Sequence, residues 1–377
     1  MRTICALYLS TFEVLAVARK CIEITVPVAI FARNAEFSVE PPATNIEVTN
    51  FILDLTRQGY NLTDELLEGY ATVSGTYHLA ATYCEPDAGP SSVLQVLTHG
   101  IGFDRSYWDL PFNNYNYSYV AEATDQYGYS TFAWDRLGIG ASSRGDPVNE
   151  VQAFLEVAAL KALSDKLRMG QISGIPCRYS TIVHVGHSFG SVQTYTLTQY
   201  YPDVSDAIVL TGFSQNGAFI GDFAFGGNFV AAKAVRTLSQ YAAGYVAAGD
   251  VNGVQSNFFA PGQFDPALLY VAYKTGQPVT VGELLTIGGA TQFTNSFAGV
   301  VLIITGERDI PFCGGDCLIT HDPALSSIPA ASGAMFPNAS HFDAVIVPSA
   351  GHALNLEYSH DFTFGVILDF FVANVGR

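Results

Sequence analysis

Positive charge is scarce in this sequence: 17 Lys and Arg stand against 34 Asp and Glu in 377 residues, a formal net charge of −17. Such a surface repels phosphate backbones and anionic membranes, which argues against nucleic acid as a partner. Charged residues of either sign make up only 14% of the chain and apolar residues 49%, a balance of well-packed globular proteins rather than disordered ones. Tails and low-complexity arrays are missing. Beyond the N-terminus no stretch is long and apolar enough to cross a bilayer, so no stable membrane insertion is expected. Metal-ligand spacing is missing too. The close pair Cys313/Cys317 has no matching His/Cys pair nearby, so no metal site is expected.

What is present begins with a targeting pattern. Arg2 precedes a mostly apolar run from Ile4 to Phe12, and Ala16-Val17-Ala18 offers a small-x-small cleavage site, so residues 1–18 read as a signal peptide of a secreted, extracellular protein. The triplets at Asn61, Asn116 and Asn338 are glycosylation sequons and agree with that reading. Five cysteines follow residue 18: Cys21, Cys84, Cys177, Cys313 and Cys317. Cys313/Cys317 is the expected bridge, and an odd count leaves one thiol unpaired.

Ile22–Phe31 and Ile46–Leu55 look extended or mixed, and the β-branched and aromatic residues of Tyr70–Cys84 suggest strands around Ser74-Gly75. Residues 19–91 therefore form an N-terminal extension with antiparallel strands. From Ser92 short apolar strands alternate with helical stretches, the rhythm of a mostly parallel sheet with helices on both faces. Strands are expected at Val93–Thr98, Ser130–Trp134, Thr181–Val185, Ala207–Leu210, Val300–Thr305 and Ala344–Val347. Helices are expected near Tyr119–Tyr127, Val151–Leu167, Ser191–Tyr200 and His360–Val375. Between Gly212 and Ala298 the alternation stops. The chain thus divides into an α/β core, 92–211 and 299–377, and a lid insertion, 212–298.

Gly186-His187-Ser188-Phe189-Gly190 is a G-x-S-x-G directly between a strand and a helical stretch, a context that lifts a serine hydroxyl above the sheet on a sharp, strained turn. A serine needs a base within reach and a third group to hold that base in the right tautomer. Both must come from later loops. Val300–Thr305 runs into Gly306-Glu307-Arg308-Asp309, where Asp309 lies further into the loop and is preferred; Glu307 is the reserve, with Asp316 and Asp322 beyond it. Ala344–Val347 runs into Gly351-His352, whereas His341 precedes that strand and His360 sits in the final helix. Ser188, Asp309 and His352 are thus the expected nucleophile, orienting acid and base. Two amides, Phe189 N–H and Ile101 N–H, are the expected oxyanion donors, with Gly100 and Gly102 letting the Ile101 loop approach closely.

These residues together resemble the α/β-hydrolase superfamily, in particular its lid-containing serine hydrolases. The resemblance runs from Ser92 to the C-terminus. It rests on His99-Gly100, on Trp134-Asp135-Arg136-Leu137-Gly138-Ile139-Gly140-Ala141-Ser142, on the Ser188 turn, on Gly306–Asp309 and on Gly351-His352. It implies an α/β-hydrolase fold with the lid between the sixth and seventh core strands, and structural roles for Asp135 and Arg136; His99 reads as a loop anchor. Serine as nucleophile implies cleavage of a small-molecule carboxylic ester, lactone or thioester, with no cofactor. The His99–Gly102 loop lacks the extended glycine run of many lipase-like relatives and the Gly-Gly-Pro of proline-releasing peptidases. A lyase or carbon–carbon hydrolase using the same three residues, and a non-catalytic binding protein on the same fold, remain as alternatives.

The lid interval carries Phe213, Phe219, Phe223, Phe225, Phe229, Phe258, Phe259 and Phe264. These either line an apolar substrate pocket or fill the lid's own core. Tyr107, Trp108, Tyr115, Tyr117 and Tyr119 either border the entrance or pack on the sheet.

Overall fold

A computed structural model describes residues 19–377; the expected signal segment 1–18 lies outside the described residues. Eleven strands are present among them: β1 (Arg19–Phe37), β2 (Leu67–Pro86), β3 (Val93–Thr98), β4 (Ser130–Trp134), β5 (Thr181–His187), β6 (Ala207–Thr211), β7 (Phe229–Ala231), β8 (Tyr245–Ala248), β9 (Val279–Thr280), β10 (Val300–Gly306) and β11 (His341–Val347). Eight of them form one sheet in the order β1-β2-β4-β3-β5-β6-β10-β11. The six from β4 to β11 run parallel, and β1 and β2 are antiparallel additions. Helices cover both faces, as the apolar alternation requires: in β3, Val93 and Leu97 belong to one core, Leu94 and Val96 to the other.

The N-terminal extension is larger than the sequence suggests. β1 and β2 pair along their whole length, from Arg19 opposite Pro86 to Phe37 opposite Leu67. Only Ala81–Cys84 of β2 bonds to β4. Because β2 is antiparallel to β4, residues 67–80 continue past the carboxyl edge of the parallel strands as a two-stranded ribbon, roughly 40 Å of extended chain at about 3.3 Å per residue. One face of the ribbon, with Val28, Ile30 and Leu79, packs on the helix Ala153–Met169. Gln152 holds it there by accepting from Ala35 N and donating to Ala35 O.

The expectation of an extended or mixed segment at Ile46–Leu55 is corrected: Asn45–Leu55 is a helix. Thr44 and Glu47 form a reciprocal capping box, worth about 1 kcal/mol at the N-cap. Val48, Phe51 and Ile52 are its buried residues, at the spacing of one helix face. The other expected helices are present as Ala153–Met169, Phe189–Tyr200 and His360–Asn374, and a turn of helix at Tyr119–Ala121 continues as a π turn over Glu122–Gln126.

Between β6 and β10 the chain leaves the main sheet and builds a separate antiparallel sheet, β7-β8-β9, with helices at Ile220–Gly226, Val251–Phe258 and Pro266–Lys274. β6 and β10 nevertheless pair directly, so this segment is an insertion into the core sheet.

Among the described residues two disulfides are formed, Cys21–Cys84 and Cys313–Cys317, and Cys177 is free. The first joins directly opposed residues of β1 and β2. No helix among the described residues is long and apolar enough to cross a membrane.

Candidate active site

Ser188 sits between β5 and the helix Phe189–Tyr200, with φ 55° and ψ −120°, a backbone region costly for any residue with a Cβ. The turn closes only because its neighbours are small. A Cβ on Gly186 would lie 2.3 Å from Gly190 O, and one on Gly190 would lie 2.2 Å from Thr98 O. Ser188 N–H donates to Thr211 O at the end of β6, which fixes the turn to the sheet.

Asp309 and His352 come from the ends of β10 and β11, which pair in register from Val300/His341 to Gly306/Val347. Both side chains are fully buried, and His352 Nδ1 lies 2.6 Å from Asp309 Oδ2. The other carboxylate oxygen of Asp309 accepts from Phe312 N at 2.9 Å, capping the short helix Ile310–Cys313. With both oxygens engaged, the carboxylate has one orientation, and it holds the imidazole with Nε2 as its free nitrogen. His352 Nε2 is buried with no partner among the described residues, and no hydrogen bond joins it to Ser188 Oγ. Such contacts commonly tighten only when substrate is bound.

The other acids and histidines weighed from sequence have different partners. Glu307 accepts from Ser349 N, Asp316 from Leu318 N and Asp322 from Ala324 N. His341 pairs with Asp343 on the surface; His360 bonds Glu357 O and Asn116.

Ile101 and Phe189 line one small chamber with Ser188. Neither amide N–H has a protein acceptor among the described residues. The loop carrying Ile101 lies tight against the serine: a Cβ on Gly100 would sit 2.8 Å from Ser188 Cβ. His99 anchors this loop. Its Nε2 accepts from Arg136 N, so Nδ1 carries the proton and donates to Gly100 O. Burial, followed by the charge of Arg136, holds the His99 ring well below its usual pKa and therefore neutral.

Asp135 accepts from Arg105 and from Ala141 N, bracing the loop after β4. Arg136 is fully buried between Glu156 and Glu283, the latter contributed by the insertion, and its guanidinium carbon lies 4.9 Å from the Phe189 ring centroid. Two carboxylates share this one cation; burial, opposed first by the charge of Arg136, pushes Glu156 well above its ordinary range. The cluster ties the insertion to the helix Phe189–Tyr200.

Three further residues join the site, of which Phe258 stood among the insertion phenylalanines weighed from sequence. Phe258 stacks on His352, with centroids 5.9 Å apart and planes at 22°. His187, between Tyr107 and His352, has its pKa driven well below normal, first by burial and then by the charge of His352. Glu357 joins the two sides: Oε1 accepts from Ala260 N at 2.6 Å and Oε2 from Gly351 N at 2.5 Å. Its carboxyl is raised to about 8, by burial above all and then against the lowering effect of those two amides, with Asp309 adding a further upward push. The signal lies only in the fold, since Ala260 and Gly351 are far apart in sequence.

Of the eight insertion phenylalanines, Phe213 and Phe223 line the chamber. Phe259 and Phe264 pack on each other, and Phe225 is exposed. Tyr107, Trp108, Tyr117 and Tyr119 are buried in the core, with Tyr115 exposed, which resolves that set towards packing.

The arrangement offers a hydroxyl on a strained turn, an imidazole held by a carboxylate, and two free amides beside the hydroxyl. Such a set can open a carbonyl by nucleophilic attack.

A family model described as Alpha/beta hydrolase family matches residues 95–363. No curated protein matches the sequence. Among solved structures, a thermophilic esterase from Thermogutta terrifontis is 15% identical, with a TM-score of 0.54 over 79% of this chain and 94% of that one. Epoxide hydrolase A from Mycobacterium thermoresistibile is also 15% identical, with a TM-score of 0.51 over 79% and 96%. An alpha/beta hydrolase fold protein from Chitinophaga pinensis is 14% identical, with a TM-score of 0.50 over 78% and 94%. At these identities the likeness is one of fold.

Proposed function

The chain belongs to the alpha/beta hydrolase family, and from that premise we propose that it is a serine hydrolase cleaving a carboxylic ester, lactone or thioester through an acyl-enzyme on Ser188. The observation that carries this reading is the 2.6 Å contact between Asp309 and His352, made on the same side of the sheet as the Ser188 turn. In this reading His352 Nε2 takes the Ser188 proton as Oγ attacks the carbonyl carbon, and Ile101 and Phe189 N–H hold the oxyanion. The imidazolium returns the proton to the departing alkoxide or thiolate. Water then attacks the acyl-enzyme with His352 again as base, releasing the acid and restoring Ser188. Residues 212–298 act as the lid of this site, supported by Phe213 and Phe223 at the chamber and Phe258 against His352.

A secreted protein is part of the same proposal. The two disulfides and the exposure of Asn61, Asn116 and Asn338 support it.

The test is labelling of the purified protein with a fluorophosphonate, read by peptide mass spectrometry beside a Ser188→Ala control and turnover of p-nitrophenyl esters. Modification confined to Ser188, with ester turnover, is expected. Folded protein that neither labels nor turns over would refute the catalytic reading in favour of a binding protein. Labelling without ester turnover would move the assignment to lyase or carbon–carbon chemistry.

A further inference from the structure

The chamber at Ser188 is small, about 60 Å³, well below the roughly 300–1,000 Å³ of a whole small-molecule site. Its wall is shared with a second space. Gly217, Ile220, Phe223, Ile287 and Gly288 line it and also line a cavity of about 1390 Å³ on its far side, larger than the 300–1,000 Å³ usual for small-molecule sites. The far walls come from the N-terminal ribbon, through Phe31, Phe37 and Tyr70, and from the helix Ala153–Met169, through Phe154 and Val157.

The ribbon lies outside the 95–363 span matched to the family. It reaches the site because residues 67–80 continue past the carboxyl edge of the sheet, the edge on which Ser188 stands. The cavity is predominantly apolar and aromatic. Arg33, Arg57 and Asp64 are its ionisable lining residues apart from tyrosines, and the two arginines lie over Tyr70 and Tyr60. Phe31, at 74% exposure, and Phe293, at 55%, are lining residues open to solvent.

Two of the residues shared by chamber and cavity have no side chain. A Cβ added to Gly217 or to Gly288 would meet nothing within 4 Å, and neither glycine has a positive φ. The insertion meanwhile cannot easily swing away at its other corner. Ala353 N donates to Phe258 O and Glu357 bridges Ala260 to Gly351, so the insertion is bonded to both residues flanking His352.

Resting on the serine-hydrolase reading, we propose that the ribbon-walled cavity binds the long arm of the substrate: an ester with a short, acetyl-sized group on one side of the carbonyl and an extended apolar or aromatic arm on the other. The short group occupies the Ser188 chamber. The arm leaves between Gly217 and Gly288 and lies against the ribbon, where apolar burial contributes binding in proportion to its length.

The experiment compares labelling of Ser188 by two p-nitrophenyl alkylphosphonates, one with a methyl arm and one with a dodecyl arm, on the full chain and on Gly217→Trp and Gly288→Trp. The expected result is labelling at least tenfold faster with the dodecyl arm, and a long-to-short rate ratio that collapses towards one in each folded variant; two variants guard against misfolding of either. Equal rates for the two arms on the unaltered protein, or an unchanged ratio in both folded variants, would overturn the cavity as arm site while leaving Ser188 a nucleophile. Labelling by neither probe would instead remove the hydrolase reading on which the proposal rests.

Discussion

The Phe258 ring lies nearly parallel to the His352 ring, with centroids 5.9 Å apart, and the Phe258 carbonyl accepts the amide of Ala353. A residue of the insertion thus packs on the imidazole and bonds the backbone beside it. The insertion is therefore packed on and bonded to the segment that carries the proposed base.

Removing that ring should show it. Phe258→Ala is expected to cost about 3 kcal/mol of stability through the cavity left behind. In the folded fraction, kcat on a p-nitrophenyl ester should fall about tenfold with little change in KM, since a loosened imidazole affects proton transfer more than binding. Phe258→Leu should recover much of the stability. An unchanged kcat in folded Phe258→Ala would show that Asp309 alone holds the ring.

Asp309→Asn tests the orienting carboxylate. The amide can donate where the carboxylate accepts, allowing the imidazole to present the wrong tautomer at Nε2. A drop in kcat on the order of 10³- to 10⁴-fold is expected. Glu307→Gln, at a residue bonded to Ser349 N, should change kcat less than threefold. A comparable drop from Glu307→Gln would reverse the choice of acid.

Glu357 gives a pH-dependent prediction with a definite sign. Its folded pKa is raised from 4.5 to about 8, so the folded state holds a proton that the unfolded chain has released. This contribution is absent below about pH 4.5, grows as an unfavourable term while pH rises, and saturates above about pH 8. Glu357→Gln abolishes the titration. Denaturant midpoints at pH 5 and pH 8.5 should therefore decline more in the unaltered protein than in Glu357→Gln, and parallel declines would contradict the assignment.

The two disulfides should differ in weight. Cys21–Cys84 closes a chain separation of 63 residues and Cys313–Cys317 one of 4, so loop-closure entropy gives about 4 kcal/mol for the first and about 2 kcal/mol for the second. Replacing both cysteines of each bridge with alanine and measuring melting temperatures should rank them in that order. The shorter bridge stands eight residues or fewer from Asp309, and Gly315 N and Phe312 N bond Asp309 directly, so its removal should lower kcat as well as stability.

Local pattern by itself determined the alternation of short apolar strands and helices from Ser92 onward, the strand-to-helix setting of Ser188, and the loops on which Asp309 and His352 stand. Those features are written in neighbouring residues: short, near-continuous apolar runs in β3, β5 and β10, buried on both faces, and glycines where the backbone must turn. The helix Asn45–Leu55 stands against this: the expectation of an extended or mixed segment there missed the capping box of Thr44 and Glu47. Tertiary structure alone decided which distant groups meet. The bridge from Glu357 to Ala260 and Gly351, the stacking of Phe258 on His352, the burial of Arg136 between Glu156 and Glu283, and the pairing of Cys21 with Cys84 all join residues whose separation in the chain carries no periodic signal. The ribbon belongs to the same class. Its strands are visible as apolar alternation, but that they run past the sheet edge to wall a cavity beside Ser188 follows from the register of β2 on β4, which is set by packing against the helix Ala153–Met169 and by the grip of Gln152 on Ala35.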